Sequence, residues 1–154
     1  MAHTNKAVLL LPVPFTLLWT HDAQIDSWAA YASKKASLLS ALHTIPNVYL
    51  LLGDRHEFAA IEFNPLNKVG MGTHIVREFS TSPLSMFYVP LIRTLRAASE
   101  MVVPRMRLRI VDEESPPEDV VEVPMERVVK YLPIGNYKWC AIIVQPRVMR
   151  SLTF

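Results

Sequence analysis

Arg105, Arg107 and Arg109 alternate with Met106, Leu108 and Ile110. On a β-strand that alternation puts three guanidiniums on one face and three apolar side chains on the other. Guanidinium forks match phosphate oxygens in bidentate geometry, so the row suits an anionic counterpart such as nucleic acid or an anionic lipid surface. Arg93 and Arg96 sit three residues apart on a predicted helix, fall on one side of it, and would extend the patch. The competing reading is internal neutralisation, because Asp112, Glu113, Glu114 and the acids beyond them follow at once. For nucleic acid the patch also lacks interleaved aromatics of the kind that stack unpaired bases, and no RNP, KH or zinc-finger signature occurs.

Acid–base or metal chemistry has three local candidates: His21 with Asp22, Asp54 with His56 and Glu57, and His74. His56 and Glu57 are adjacent and point to opposite faces of a strand, Asp54 belongs to a turn, and no His-Glu-x-x-His spacing is met, so turn and surface roles are expected. Gly70-x-Gly72 lacks the third glycine and the strand-to-helix context of a dinucleotide loop, which leaves flexible linkage as its expected role. There is no Gly-x-x-x-x-Gly-Lys-Ser/Thr loop and no Gly-x-Ser-x-Gly elbow. Cys140 lies within Trp139-Cys140-Ala141-Ile142-Ile143, where burial would leave the thiol inert. No catalytic residue, metal site or cofactor is therefore expected, and the chain reads as a non-enzyme.

These residues belong to a chain of 154 with 51% hydrophobic side chains, enough for one α+β domain over 1–154 with a core of its own. The net charge of +2 is too small to imply a polyanion partner by itself. Its distribution is uneven: residues 112–126 carry seven acids and no base, and residues 127–154 carry five bases and no acid. We expect an acidic loop over 112–119 and a basic C-terminal tail over 147–154. The single cysteine excludes an internal disulfide framework and suits a reducing compartment, so an intracellular, cytoplasmic location is expected. The apolar run Ala7 to Trp19 is broken by Pro12 and Pro14, and nothing approaches the roughly 20 apolar residues of a membrane span. No transmembrane segment is expected.

The elements that must position these residues follow from apolar periodicity. Lys6 to Leu11 and Phe15 to His21 read as short strands separated by Pro12-Val13-Pro14. Asp22 stands as an N-cap before Ile25, Trp28, Ala29, Ala32, Ala36, Leu39 and Leu42, which recur at helical spacing until Pro46. Val48 to Leu52 and Glu57 to Phe63 are apolar runs whose link, Gly53-Asp54-Arg55-His56, has the composition of a hairpin turn. Thr73 to Phe79 predicts a strand and Leu84 to Met101 a second helix. Arg105 to Val111 predicts the arginine strand and Val120 to Val123 a short one. Pro124 should open a short helix ending before Pro133, and Tyr137 to Val144 is a final strand.

The predicted class is α+β: a mainly antiparallel sheet with two principal helices on one face, in the order ββαβββαβ(α)β. Over residues 6–101 this order resembles that of longin and other SNARE-like adaptor domains, on element order alone. The second helix is apolar almost all round, through Met86, Phe87, Tyr88, Leu91 and Ile92, and Val121 and Val123 could add an edge strand to a partner sheet. The resulting expectation is a non-enzymatic interaction or assembly module that binds a protein partner or its own copy as a homo-oligomer. The alternative is a nucleic-acid or anionic-surface binding protein, such as a small viral structural or accessory protein, using Arg93, Arg96, Arg105, Arg107 and Arg109.

Overall fold

Leucine-rich runs make the first two paired strands. Ala7–Leu11 is β1 and Val48–Leu52 is β2. Between them lie a 3-10 turn, Trp28–Tyr31, and the helix α1, Ala32–Leu42. A strand that returns through a helical crossover lies parallel to the first, and β1 and β2 pair parallel from Ala7↔Val48 to Leu11↔Leu52. The chain is described here by a computed structural model, which covers residues 7–19, 28–53, 57–66, 72–81, 95–108, 118–132, 141–144 and 149–153. The expected N-cap Asp22 lies outside them, and α1 begins only at Ala32. It buries Lys35, Leu39 and Leu42, one stripe at three- and four-residue spacing. Past its end, Asn47 takes a left-handed φ of 57°, which its short polar side chain tolerates, and its carbonyl accepts from Ala7 N.

The predicted hairpin does not form. Phe58–Phe63 is β3 and Val76–Ser80 is β4, and β4 lies between β2 and β3: parallel to β2, antiparallel to β3. The sheet order is β1-β2-β4-β3-β7, where Glu126–Leu132 is β7. It is therefore a mixed sheet, not a mainly antiparallel one. The class remains α+β.

Two further expectations change for identifiable reasons. No second strand occupies residues 15–19, because backbone N–H groups there are taken by side chains instead of a ladder: Thr16 N by Glu78, Leu17 N by Glu126 and Leu18 N by the Thr16 hydroxyl. Only Trp19 makes a single bridge, to Leu95. The helix predicted after Pro124 is instead β7. The register jumps from Ala60↔Lys130 to Ile61↔Val128, so Val129 is an extra, bulged residue. The bulge brings Val128 and Tyr131, three apart, to the same core and so imitates helical periodicity.

Most of the predicted second helix, residues 82–94, lies outside the described residues. Its last part, 95–101, is not helical: Leu95 bridges Trp19 and Ala98 bridges Arg127. A single α-helix is thus found among the described residues. Val102–Leu108 is β5 and Glu118–Pro124 is β6, an antiparallel pair separate from the main sheet. Ala141–Val144 is β8, and Met149–Thr153, in the predicted tail, is β9 paired with it.

The sheet is apolar on both faces, which explains why its strands read as near-continuous hydrophobic runs. On the α1 side, Phe15, Leu39, Leu50, Ile61, Phe63 and Val76 form the main core. On the other, Phe58, Ala60 and Phe79 cluster with Tyr49, Leu51 and Leu132. No helix of the described residues is long and apolar enough to cross a membrane.

Candidate active site

The period of two along β4 puts Val76, Glu78 and Ser80 on the face beneath α1. Glu78 is opposite Leu50 on one side and Ile61 on the other, and is fully buried. A carboxyl group in such a place must find donors. The segment after β1 supplies one as it crosses the sheet: Thr16 N donates to Glu78 Oε2 at 2.9 Å, and Ser80 Oγ lies 3.2 Å from Glu78 Oε1. The Thr16 hydroxyl donates to Glu126 Oε2 at 2.6 Å, and Leu17 N donates to the same oxygen at 2.9 Å. The other oxygen of Glu126 takes the Lys35 ammonium, which reaches down from α1. Lys35 Nζ also stands 5.3 Å and 5.4 Å from the ring centroids of Phe15 and Phe63, within cation–π range.

Two carboxyl groups and one ammonium therefore share a buried site with Thr16 as the common bridge. Burial, and then the neighbouring carboxylate of Glu126, push the Glu78 pKa up to about 8. At neutral pH Glu78 is accordingly a carboxylic acid, and the single negative charge rests on Glu126 beside Lys35. A cavity of about 300 Å³ opens beside the pair, lined by Lys35 and Glu126 with Leu17, Leu39, Met101 and Met125.

A second feature lies at the ends of the parallel strands. β1, β2 and β4 run the same way and finish at Leu11, Leu52 and Ser80. Open sheets bind ligands outside the carboxyl ends of their parallel strands, in the crevice formed by the loops. Thr81, just past β4, closes on β2 by donating from N and from Oγ1 to Leu52 O at 3.0 Å and 3.3 Å. The connection from Gly53 to Glu57 leaves the carboxyl end of β2 and reaches β3 two strand positions away, about 10 Å, with β4 between. Asp54, Arg55 and His56 lie outside the described residues. At the far end Glu57 accepts from the Tyr131 hydroxyl at 2.9 Å. Among the described residues no three His, Cys, Asp or Glu side chains converge on a point.

Residues 3–115 match the family model of PhoD-like phosphatases. The chain belongs to the PhoD-like phosphatase family. No curated protein and no solved structure matches it. Membership in a phosphatase family overturns the expectation of a non-enzymatic assembly module, together with the alternatives of a nucleic-acid binder and a viral structural or accessory protein. The absence of a phosphate loop and of a nucleophile elbow argued against an enzyme, but phosphatase chemistry needs neither.

In this phosphatase-family chain only some of the predicted site residues lie among the described residues. Arg93 and Arg109 lie outside the described residues, as do Met86, Phe87, Tyr88, Leu91, Ile92, His21 and Asp22. Arg96 is exposed on a non-helical segment, donates its N–H to Leu18 O at 2.9 Å, and lines the cavity beside Lys35. Arg105 is exposed on β5 opposite Val121, and Arg107 stands opposite Asp119, so the acidic stretch is the arginine strand's own neighbour. Val121 is exposed, while Val123 is half-buried opposite the buried Val103. His74 is exposed and its carbonyl accepts from His43 Nδ1 at 2.6 Å. Gly72 is no flexible link: a Cβ there would lie 2.0 Å from the His43 carbonyl carbon, so glycine is required by close approach.

Sequence reasoning missed Lys35, Glu78 and Glu126. A signal did exist for Glu78. In Val76-Arg77-Glu78-Phe79-Ser80 the acid falls in phase with Val76 on an alternating strand, a charged residue at a core position.

Proposed function

We propose that the chain is a phosphoester hydrolase with its reaction centre at the carboxyl ends of β1, β2 and β4. The match of residues 3–115 to the PhoD-like phosphatase family carries this reading. The parallel topology supports the location, since the Gly53–Glu57 connection leaves β2 at that end.

Hydrolysis breaks the bond from phosphorus to the ester oxygen and forms one from phosphorus to water. A base must accept the water's proton, an acid must protonate the leaving alcohol, and cationic donors must balance charge on the phosphoryl oxygens. The connection carries these types in sequence: Asp54 and His56 for proton transfer, and Arg55 for bidentate contact with the phosphoryl group. The buried Thr16, Glu78, Glu126 and Lys35 network supports the site from below. It anchors the segment leaving β1 to the strand that ends at Ser80.

The test is release of p-nitrophenol from p-nitrophenyl phosphate and from bis(p-nitrophenyl) phosphate by the purified chain. His56→Ala should lower kcat/KM by about 10²- to 10⁴-fold, with an unchanged circular dichroism spectrum. Absence of turnover of either ester in the unmodified protein, or full activity in the variant, would overturn the assignment.

A further inference from the structure

The bulge in β7 decides where Tyr131 points. From Phe63↔Glu126 to Ile61↔Val128 the pairing of β3 with β7 keeps one register, which, continued, would set Tyr131 opposite Phe58. Phe58 clusters on the far side of the sheet with Ala60 and Phe79. The extra residue Val129 shifts the register by one, so Tyr131 lies opposite Ala59 and packs into the core beneath α1. The buried Trp19 meets its ring edge-on there, with centroids 6.4 Å apart and planes at 70°. Glu57 stands two residues before Ala59, a diagonal neighbour that a long side chain on β7 can reach. The Tyr131 hydroxyl accordingly donates to Glu57 Oε2 at 2.9 Å, between two half-buried residues.

Glu57 directly follows Asp54, Arg55 and His56 in the chain. At the other end of that connection Leu52 O accepts from Thr81 N and Oγ1 at 3.0 Å and 3.3 Å. The connection is thus tied at its start by the end of β4 and at its end by β7. We infer that Tyr131 is a positioning residue of the reaction centre, fixing through Glu57 the connection that carries Asp54 and His56. The assignment rests on the phosphoester-hydrolase reading and deepens it, because Tyr131 lies beyond residues 3–115, which match the family model. A bulge gives up a ladder pairing, and bulges are over-represented beside active sites, where they re-aim a side chain. Here the side chain re-aimed is the one that reaches Glu57. Reacting groups are sensitive to such a tie, since a misplacement of about 1 Å costs about 10²-fold in rate.

The experiment measures kcat and KM for p-nitrophenyl phosphate and bis(p-nitrophenyl) phosphate with the full chain and its variants, each checked for an unchanged circular dichroism spectrum. Tyr131→Phe keeps the ring against Trp19 and deletes only the hydroxyl, and it should lower kcat by about ten- to a hundredfold. Glu57→Leu should lose about as much, and the double variant no more than either single one, because both remove the same bond. Glu57→Gln, whose amide oxygen still accepts from Tyr131, should keep kcat within about twofold. Full kcat in Tyr131→Phe, multiplying losses in the double variant, or a loss in Glu57→Gln equal to that in Glu57→Leu would overturn the positioning role and leave the hydrolase reading standing. Absence of turnover by the unmodified chain would instead overturn that reading, and this assignment with it.

Discussion

Replacing Glu78 by glutamine should change how the protein's stability depends on pH. Glu78 is fully buried, and burial followed by the Glu126 carboxylate raises its pKa from 4.5 to about 8. A group whose pKa is higher in the folded state binds its proton more tightly there. Its stabilising contribution is complete below about pH 4.5, declines as pH rises, and is gone once pH passes the folded value near 8. The interval corresponds to about 5 kcal/mol, lost at about 1.4 kcal/mol per pH unit. The glutamine side chain has the shape of the neutral acid, can still accept from Thr16 N, and does not ionise. Urea denaturation of both proteins at intervals from about pH 5 to 9 isolates the effect, because every other titrating group is common to the two. Stability of Glu78→Gln relative to the unmodified protein should rise steadily between about pH 5 and 8 and level off above. Parallel stability curves across that range would show that Glu78 is not a buried acid, and the reading of the cluster as one charge balanced by Lys35 would fall.

Lys35→Met should cost about 3–5 kcal/mol in urea denaturation, because it leaves the Glu126 carboxylate buried without its cation. Adding Glu126→Gln should recover most of that loss, and a single-variant cost under about 1 kcal/mol would remove the pair from the core interactions. Gly72→Ala should lower stability by more than about 2 kcal/mol, since its Cβ would meet backbone atoms of His43 that cannot swing aside. An unchanged melting temperature would contradict the close approach. Thr16→Val keeps the shape and deletes the hydroxyl that serves Glu126 and Leu18, at an expected cost of about 1–3 kcal/mol. Stability equal to that of the unmodified protein would make the bridge dispensable.

Local chemistry made much of this molecule legible. Apolar runs marked β1, β2, β3 and β4 to within a few residues, and the stripe through Leu39 and Leu42 marked α1, because short-range periodicity responds to burial on one face or two. The same periodicity misled at β7, where the bulge at Val129 brought residues three apart onto one side. It also misled after Pro14, where an apolar run had its backbone donors claimed by buried carboxylates.

The sequence by itself determined the α+β class, the stretches that form most of the main sheet, and the placing of Asp54, Arg55 and His56 directly after a strand. Only the tertiary structure decided that β4 separates β2 from β3, and so put that connection at the end of a parallel set. It alone joined Lys35, Glu78 and Glu126. Lys35 and Glu126 are 91 positions apart in the chain, and Thr16 and Glu126 are 110 apart. No pattern of spacing encodes such a meeting: it follows from which strands pair and how the crossing segment is held, and those depend on long-range contacts that no window of sequence contains.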